Sequence, residues 1–215
     1  MARLPRMHRR AIEHLKKTDP KLRPWIDRIG IVKLPTRRSR DPYLALLESI
    51  VYQQLTGAAA GTIWNRVLDL FEDRSPQPTR LLALTEDKLR SAGLSRNKTL
   101  AMKEVAAGAI AGRIPDSKRI SRMPTEEIYR QLTQIRGIGP WTVDMLLIFT
   151  LRRPDVMPLN DYGLRKAFKV VYRKRALPTP KQMSRDAERW RPYRTTAALY
   201  LWRIADAPRT PNAIS

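Results

Sequence analysis

Apolar residues recur along this chain at the spacing of about three to four residues that is typical of amphipathic helices. After Pro42, for example, Leu44, Leu47, Ile50 and Val51 would share one buried face. Thr, Pro and Gly, which begin and end helices, separate these segments, and no segment has the alternating pattern of a strand. The pattern predicts an all-α protein. Its helices are expected over 7–17, 21–29, 43–53, 58–71, 81–84, 86–92, 97–111, 124–134, from 140 onward, 161–172, 181–190 and 195–204.

Two of the predicted helices are joined by a turn with two glycines, in residues 132–142 (Leu-Thr-Gln-Ile-Arg-Gly-Ile-Gly-Pro-Trp-Thr). Gly137 and Gly139 would let the turn approach a large partner without a Cβ in the way, and Pro140 fits the first turn of the following helix. The unpaired N–H groups at a helix start, with the positive end of the helix dipole behind them, suit a phosphate. Taken alone, the pattern also fits an ordinary connection between two core helices.

The charge of the chain favours a phosphate-bearing partner. The 215 residues include 42 Lys and Arg against 20 Asp and Glu, a formal net charge of +22. An excess of this size is typical of nucleic-acid binding. A membrane surface would require one long helix with a basic face or a polybasic tail, whereas the basic residues here are spread from Arg3 to Arg209. No apolar run reaches the length of about 18 residues that a membrane span needs, and the basic N-terminus lacks the apolar segment of a secretory signal.

The chain has no cysteine, which excludes disulfides, Cys-ligated zinc and Cys-ligated iron–sulfur clusters. The two histidines, His8 and His14, are six residues apart, a spacing that does not place them on one face of a helix. We therefore expect two solvated histidines and no metal site built on them.

A second informative segment, residues 156–163 (Val-Met-Pro-Leu-Asn-Asp-Tyr-Gly), follows Trp141 by about one helix length. By residue type alone, Asn160 or Asp161 is the N-cap of the helix expected over 161–172. A cap role does not exclude a chemical role for the same carboxylate.

In chain order, four motifs of this sequence resemble those of the HhH-GPD superfamily of DNA base-excision glycosylases, and within it the DNA-3-methyladenine glycosylase II (AlkA-like) branch. The motifs are Tyr52-Gln-Gln-Leu-Thr-Gly-Ala-Ala-Ala, Gly137-Ile-Gly-Pro-Trp-Thr, Pro158-Leu-Asn-Asp-Tyr-Gly, and Ala187-Glu-Arg-Trp-Arg-Pro-Tyr-Arg with Leu201-Trp202. They span roughly residues 10–205, and their combination is far more specific than any single motif.

The resemblance implies a compact helical glycosylase core over residues 1–205, made of two helical subdomains. One would combine 1–40 with 150–205, and the other would span 41–149, with the helix-hairpin-helix motif in 132–150. Residues 206–215 would form a C-terminal tail. The extra N-terminal α/β domain of the best-known members is not expected in this chain.

By the same resemblance, we expect a monofunctional DNA glycosylase of base excision repair. It would flip an alkylated purine such as 3-methyladenine out of the duplex and hydrolyse its N-glycosidic bond. Asp161 would be the catalytic carboxylate, which stabilises the cationic sugar or activates the water that captures it; Asn160 is given no catalytic role. Trp141 stands where bifunctional members carry a nucleophilic Lys, so no lyase step is expected.

The resemblance also implies which residues surround the substrate. An electron-rich indole attracts a cationic base, and the aromatic residues expected to contact the flipped base are Trp141, Trp202, Tyr162 and Trp25. The residues expected to contact DNA are Gly137, Ile138, Gly139 and Thr142 in the hairpin, with Gln54, or alternatively Thr56, as the wedge that fills the gap left by the base. A Na⁺ or K⁺ ion is expected on the backbone carbonyls of Thr133, Ile135 and Ile138, and no other cofactor is required.

Other interpretations stay open at this point. The aromatic residues also fit a packed core, and the segment with Gln54 also fits a plain loop. A glycosylase of the same fold for a deaminated or oxidised base is one alternative, and a non-enzymatic helix-hairpin-helix DNA-binding module is another. Asp161 argues against the module, since binding alone needs no carboxylate of this kind. The expected partner is double-stranded damaged DNA and no membrane, with the protein a monomer in the cytoplasm, associated with the nucleoid if the source is prokaryotic.

Overall fold

The computed structural model describes residues 6–32, 34 and 41–207, with the backbone alone at 6 and 7. Within these ranges all regular secondary structure is helical, which confirms the predicted all-α class. The predicted tail lies outside the described residues from position 208 on. The helices are α1 (Arg6–Thr18), α2 (Arg23–Ile29), α3 (Pro42–Tyr52), α4 (Gly57–Leu68), α5 (Pro78–Ala83), α6 (Glu86–Ser91), α7 (Arg96–Ile110), α8 (Ser117–Arg122), α9 (Thr125–Leu132), α10 (Pro140–Met145) with a π-helical turn (Leu146–Thr150), α11 (Tyr162–Val171), α12 (Pro180–Ala187) with a 3₁₀ turn (Glu188–Trp190), and α13 (Arg194–Asp206).

The chain forms two compact units. The terminal unit combines Met1–Pro35 with Arg153–Ser215, and the central unit spans Thr36–Arg152. The hairpin with its two glycines belongs to the central unit, and Asp161 belongs to the terminal unit. None of the described helices is long and apolar enough to cross a membrane.

In the central unit, α3 lies at the middle of the core. It packs on α4, α7, α10 and the π-helical turn, while α7 also packs on α5 and α6. Leu47, Ile50 and Val51 are fully buried, as their spacing predicts, but Leu44 is only half-buried and Leu46, outside the predicted face, is fully buried. Burial around most of the helix is what a central helix requires.

The apolar run after the hairpin packs α10 into this core. Val143, Leu146 and Ile148 are fully buried. The run does not continue as an α-helix, because the N–H of Leu151 donates to the carbonyl of Leu146 at 3.0 Å, five residues back. The hairpin therefore stands on a rigid, buried helix.

In the terminal unit, α13 packs on α1, α2 and α11. The fully buried carboxylate of Asp19 ties the corner between α1 and α2 to later elements. It accepts hydrogen bonds from the N–H groups of Lys21 (3.1 Å) and Leu22 (3.0 Å), from Nε1 of Trp190 (2.8 Å) and from the hydroxyl of Tyr172. A buried carboxylate with four donors is a structural element, not an unpaired charge.

Sequence periodicity misses α8. Its sequence, Ser-Lys-Arg-Ile-Ser-Arg, contains a single apolar residue, Ile120, which is too little for a periodic pattern. The one available sign is the N-cap Asp116, whose side chain accepts from the N–H of Arg119 at 2.7 Å.

The small residues at the start of α4 predict close packing, but this prediction is wrong. Gly57, Ala58 and Ala59 are exposed, and of the first four residues only Ala60 is buried. The start of α4 is an open corner of the central unit.

The prediction of two solvated histidines is also wrong. His14 is half-buried, with Nε2 3.3 Å from the carbonyl of Arg189 and its ring edge-on to Tyr193, centroids 5.3 Å apart. His8 is half-buried on the same helix. Both side chains belong to the packing of α1.

Candidate functional site

The two glycine positions of the hairpin differ in whether the fold itself needs glycine there. Gly137 has φ +85°, and a Cβ there would lie 2.2 Å from the Cβ of Ala101 on α7. Gly139 has φ −96°, which any residue can adopt, and a Cβ there would have nothing within 4 Å. The sequence assigns both glycines to an external partner; the structure assigns Gly137 to the packing of the hairpin on α7 and leaves open space only in front of Gly139.

Hydrogen bonding within the hairpin decides which N–H groups an anion can use. The N–H of Ile138 donates to the carbonyl of Ile135 at 3.0 Å, and the N–H of Thr142 donates to the carbonyl of Gly139 at 3.0 Å. In the part of the chain that the structure describes, the N–H groups of Gly137 and Gly139 make no hydrogen bond. The donors available to an anion therefore include the N–H groups of both glycines.

Ile138 and Thr142, two residues expected to contact DNA, have buried side chains. Ile138 is 4% exposed and Thr142 is 1% exposed. The hydroxyl of Thr142 accepts a hydrogen bond from Nε2 of Gln53 at 3.0 Å. Both side chains therefore pack inside the central unit and support the hairpin, and neither offers a surface to a ligand.

Gln53 and Lys98, which sequence reasoning missed, fix the end of α3. Nε2 of Gln53 also donates to the carbonyl of Gly137 at 3.0 Å. Nζ of Lys98, on α7, donates to the carbonyls of Val51 and Gln53, both at 2.8 Å, and burial lowers the pKa of this amine. Nothing in the periodicity marks either residue, since their partners lie on other elements.

The corner between α3 and α4 carries the candidate wedge. Gln54 is exposed and has φ 57°, a left-handed conformation that is uncommon for a non-glycine residue. Thr56 caps α4, with its hydroxyl accepting from the N–H of Ala59 at 3.5 Å. Leu55, between them, is 40% exposed, an unusual position for a large apolar side chain that only the structure reveals. The corner therefore presents Gln54 and Leu55, while Thr56 belongs to the cap.

Asp161 is the N-cap of α11, as its residue type predicts. Its Oδ1 accepts from the N–H of Leu164 at 2.8 Å and from Nε1 of Trp202 on α13 at 3.2 Å. The next helical glycine, Gly163, is close to both groups: a Cβ there would lie 3.2 Å from Oδ1 of Asp161 and 3.8 Å from Cδ1 of Trp202. The structure therefore brings Asp161 and Trp202 together as a hydrogen-bonded pair.

The segment that leads to Asp161 is held by the first turn of α13. The guanidinium of Arg194 binds both carboxylate oxygens of Asp155, at 2.7 and 3.0 Å. Thr195 Oγ1 donates to the carbonyl of Arg153 at 2.7 Å and accepts from the N–H of Val156 at 3.0 Å. Burial works to raise the pKa of Asp155, but the hydrogen bonds and charge of Arg194 outweigh it, so the pKa is lowered. The chain is therefore held in place just before it reaches Asp161.

The other aromatic residues differ in exposure and in unit. Tyr162 follows Asp161 directly and is 67% exposed. Trp25, on α2, is half-buried in the same terminal unit, and Trp141, at the start of α10, is half-buried in the central unit. None of the three is a fully buried core residue.

The carbonyls expected to hold a Na⁺ or K⁺ ion lie at the end of α9 and in the hairpin. The carbonyl of Ile135 accepts the N–H of Ile138, which leaves it a second lone pair for a cation. Neutral carbonyl oxygens on a tight turn are compatible with a monovalent cation.

Comparison with known proteins gives consistent matches. The model of the HhH-GPD superfamily of base excision DNA repair proteins matches residues 47–192. DNA-3-methyladenine glycosylase 1 of Schizosaccharomyces pombe is 35% identical over 195 residues, which covers 89% of this chain and 85% of that protein. DNA-3-methyladenine glycosylase 2 of Escherichia coli is 28% identical over 173 residues, covering 75% of this chain and 57% of that protein. The solved structure of the S. pombe 3-methyladenine DNA glycosylase in complex with abasic DNA has a TM-score of 0.85 and 34% identity, covering 90% of this chain and 95% of that one.

Proposed function

We propose a function for this chain from its membership of the HhH-GPD superfamily of base excision DNA repair proteins, to which it belongs. It is a monofunctional DNA glycosylase that releases alkylated purines of the 3-methyladenine type from double-stranded DNA. The observation that carries the proposal is the Asp161 carboxylate, held on Oδ1 by Leu164 and Trp202 beside the exposed Tyr162. The 35% identity to a DNA-3-methyladenine glycosylase supports the choice of substrate class.

Binding and flipping are the tasks of the central unit. The net charge of +22 gives sequence-independent, salt-dependent affinity for the duplex. The N–H groups of Gly137 and Gly139 bind a phosphate near the lesion, and Gln54, with Leu55 beside it, fills the gap that the flipped nucleotide leaves. Damaged bases unstack more easily than normal ones, which favours the lesion at this step.

The chemistry is assigned to Asp161. The bond between C1′ and the base nitrogen breaks, its electron pair leaves with the base, and a cationic alkylpurine departs as a neutral molecule. The carboxylate stabilises the positive charge that develops on the sugar, and a water then adds to C1′ and gives up a proton to Asp161 or to solvent. Because a cationic leaving group departs easily, no general acid is required.

The base is held by aromatic side chains. Trp141, Tyr162, Trp202 and Trp25 are the residues proposed to contact it. Trp202 has two tasks, which its geometry allows: the indole N–H lies in the ring plane and donates to Asp161, whereas stacking uses the ring face. Trp141 also replaces the Lys that a lyase would need, so the product is an abasic site in an intact strand.

The remaining assignments follow from the same resemblance. The carbonyls of Thr133, Ile135 and Ile138 would hold a Na⁺ or K⁺ ion, which when bound would add positive charge next to the phosphate. The protein acts as a monomer on damaged DNA, without membrane attachment, in the cytoplasm or at the nucleoid of a prokaryotic source.

Substrate charge provides the test of the proposed function. Base release is measured by mass spectrometry on duplexes carrying 3-methyladenine, hypoxanthine or 8-oxoguanine, with the wild type and Trp141→Ala. We expect faster release of the cationic base, and a loss of about 1–3 kcal/mol of transition-state binding in the variant, by analogy with base–aromatic stacking. Trp64→Ala, which removes another half-buried indole of the central unit, is the control.

Equal rates on neutral and cationic lesions would favour a glycosylase for a deaminated or oxidised base. No release of any base would leave only a DNA-binding module. The salt dependence of duplex affinity should be the same in Trp141→Ala and the wild type, because Trp neutralises no phosphate.

A further inference from the structure

The side-chain amide of Gln53 joins the two parts of the central unit that are proposed to contact DNA. Gln53 directly precedes Gln54, the proposed wedge, and its Nε2 donates to the carbonyl of Gly137 and to Oγ1 of Thr142, both at 3.0 Å. We propose that Gln53 is a positioning residue that couples the wedge corner to the hairpin, so that wedge insertion and phosphate binding occur in one fixed register. This inference rests on the proposed function.

An amide suits this position because it has two N–H hydrogens in one plane. One reaches the turn of the hairpin at Gly137, and the other reaches the first turn of α10 at Thr142. Thr142 is 1% exposed, so water does not compete for its hydroxyl, and a hydrogen bond in such a site is stronger than one in solvent. We call this pair of contacts the Gln53 bridge.

Helix α7 supports both ends of the Gln53 bridge. Lys98 donates to the backbone carbonyl of Gln53 at 2.8 Å, and Ala101, three residues later and so on the same face of α7, is the residue on which Gly137 packs. The wedge corner and the hairpin are therefore each fixed to one face of α7 and are joined to each other by Gln53. Three contacts of this kind leave the two parts little freedom to move independently.

Coupling of this kind has a measurable signature. If the wedge and the hairpin act as one body, a substitution that impairs one should also reduce the contribution of the other to duplex binding. The effects of two substitutions, one in each part, on the free energy of binding should then not be additive. Gln54→Ala removes the wedge side chain. Gly139→Ala places a methyl group in the open space before the hairpin, where the free protein has nothing within 4 Å. Without the Gln53 bridge, the two effects should become additive.

The experiment measures affinity for a duplex with a tetrahydrofuran abasic analogue, flipping by the fluorescence of a neighbouring 2-aminopurine, and single-turnover release of 3-methyladenine. Gln53→Met keeps the length of the side chain and removes both donors. We expect about tenfold slower base release and a smaller flipping signal, with little change in affinity for undamaged duplex. In the Gln53→Met background, the effects of Gln54→Ala and Gly139→Ala on abasic-duplex affinity should add. The matched control is Gln131→Met, which removes an amide that donates to the carbonyl of Arg113 at 2.8 Å on the same unit and should leave all three measurements unchanged.

Wild-type release by Gln53→Met, or non-additivity that persists in its background, would overturn the coupling. Where Gln53→Met proves too unstable to assay, Thr142→Val decides, since it removes one acceptor of the bridge and keeps the shape: additivity there supports the coupling, and retained non-additivity overturns it. If Gln54→Ala and Gly139→Ala each bind abasic duplex like the wild type, the proposed DNA contacts are wrong, and the coupling between them is overturned with them; a defect in both variants with wild-type behaviour of Gln53→Met overturns the coupling alone.

Discussion

Gly163 sets the space available to the candidate catalytic pair. It lies two residues after Asp161, and its missing Cβ leaves room for the carboxylate and for the indole of Trp202. The need for glycine is steric, because φ at this helical position lies outside the left-handed region. The small residue thereby lets the start of α11 lie close to Trp202 on α13, within hydrogen-bond distance of Asp161.

We predict that Gly163→Ala slows base release by about tenfold to a hundredfold, because the new Cβ, 3.2 Å from Oδ1 of Asp161, displaces the carboxylate. The melting temperature should fall only slightly, because Ala is the better helix former by about 1 kcal/mol and this gain offsets part of the steric cost. Single-turnover release and thermal unfolding are measured together. Gly108→Ala, whose Cβ would meet Ile135 Cδ1 at an ordinary 3.5 Å, is the control; an unimpaired rate in Gly163→Ala would contradict the steric account.

Residue type and spacing identify Asp161 as a cap, and the order of motifs identifies it as a candidate catalyst. Neither predicts the hydrogen bond from Trp202, because the partners are 41 positions apart and only the packing of α11 on α13 brings them together. Gln53 is similar, with partners 84 and 89 positions away. Contacts of this length are a property of the fold and leave no local pattern.

At the scale of elements, the hairpin combines a structural glycine and an open one. Gly137 requires a left-handed backbone and contact with α7, whereas Gly139 requires neither. A Gly-x-Gly pattern in sequence does not distinguish the two glycines, so their different roles could not be predicted.

Most helices were predictable from apolar spacing, but α8 and the π-helical turn were not, since the first has one apolar residue and the second depends on the packing around it.

Substitution by alanine should impair stability at Gly137 and DNA binding at Gly139. Gly137→Ala should lower the melting temperature, through backbone strain of about 1–3 kcal/mol and a clash with Ala101. Gly139→Ala should leave the melting temperature unchanged and weaken duplex binding, because its methyl group occupies the approach to the N–H donors. Thermal unfolding and a binding titration on both variants check this; a stable Gly137→Ala or a Gly139→Ala that binds like the wild type would contradict it.

The Asp155–Arg194 pair should stabilise the segment before Asp161 in a pH-dependent way. The pKa of Asp155 is lowered in the folded protein, so its contribution is fully present above the ordinary value of 3.8 and is lost as the pH falls through the lower folded value. Asp155→Asn should therefore melt below the wild type at pH 7, with a gap that closes in acid. Glu72→Gln, at an exposed carboxylate, is the control. A gap that stays constant into acid would mean that the charge of Asp155 is not its cause.

At the scale of the whole molecule, charge and division into units separate the tasks. The net charge of +22 is visible in the sequence and predicts the class of partner, but not which surface meets it. The proposed phosphate donors and wedge belong to the central unit, and the proposed catalytic carboxylate belongs to the terminal unit. The sequence motifs occur in both units in the order of the family, which is why the function could be inferred before the contacts were known.

The central claim is that the charge of Asp161 acts on the reacting sugar, and Asp161→Asn tests it most directly. Asn keeps the shape and an Oδ1 that can accept from Leu164 and Trp202, so the cap and the pair with the indole are preserved while the negative charge is removed. Single-turnover release of 3-methyladenine and duplex affinity are measured on the variant, with Asn160→Ala as the neighbouring control. We predict that base release falls by at least about a hundredfold while duplex affinity is unchanged or higher, since one charge that repels phosphates is gone. Release near the wild-type rate by Asp161→Asn would contradict the account.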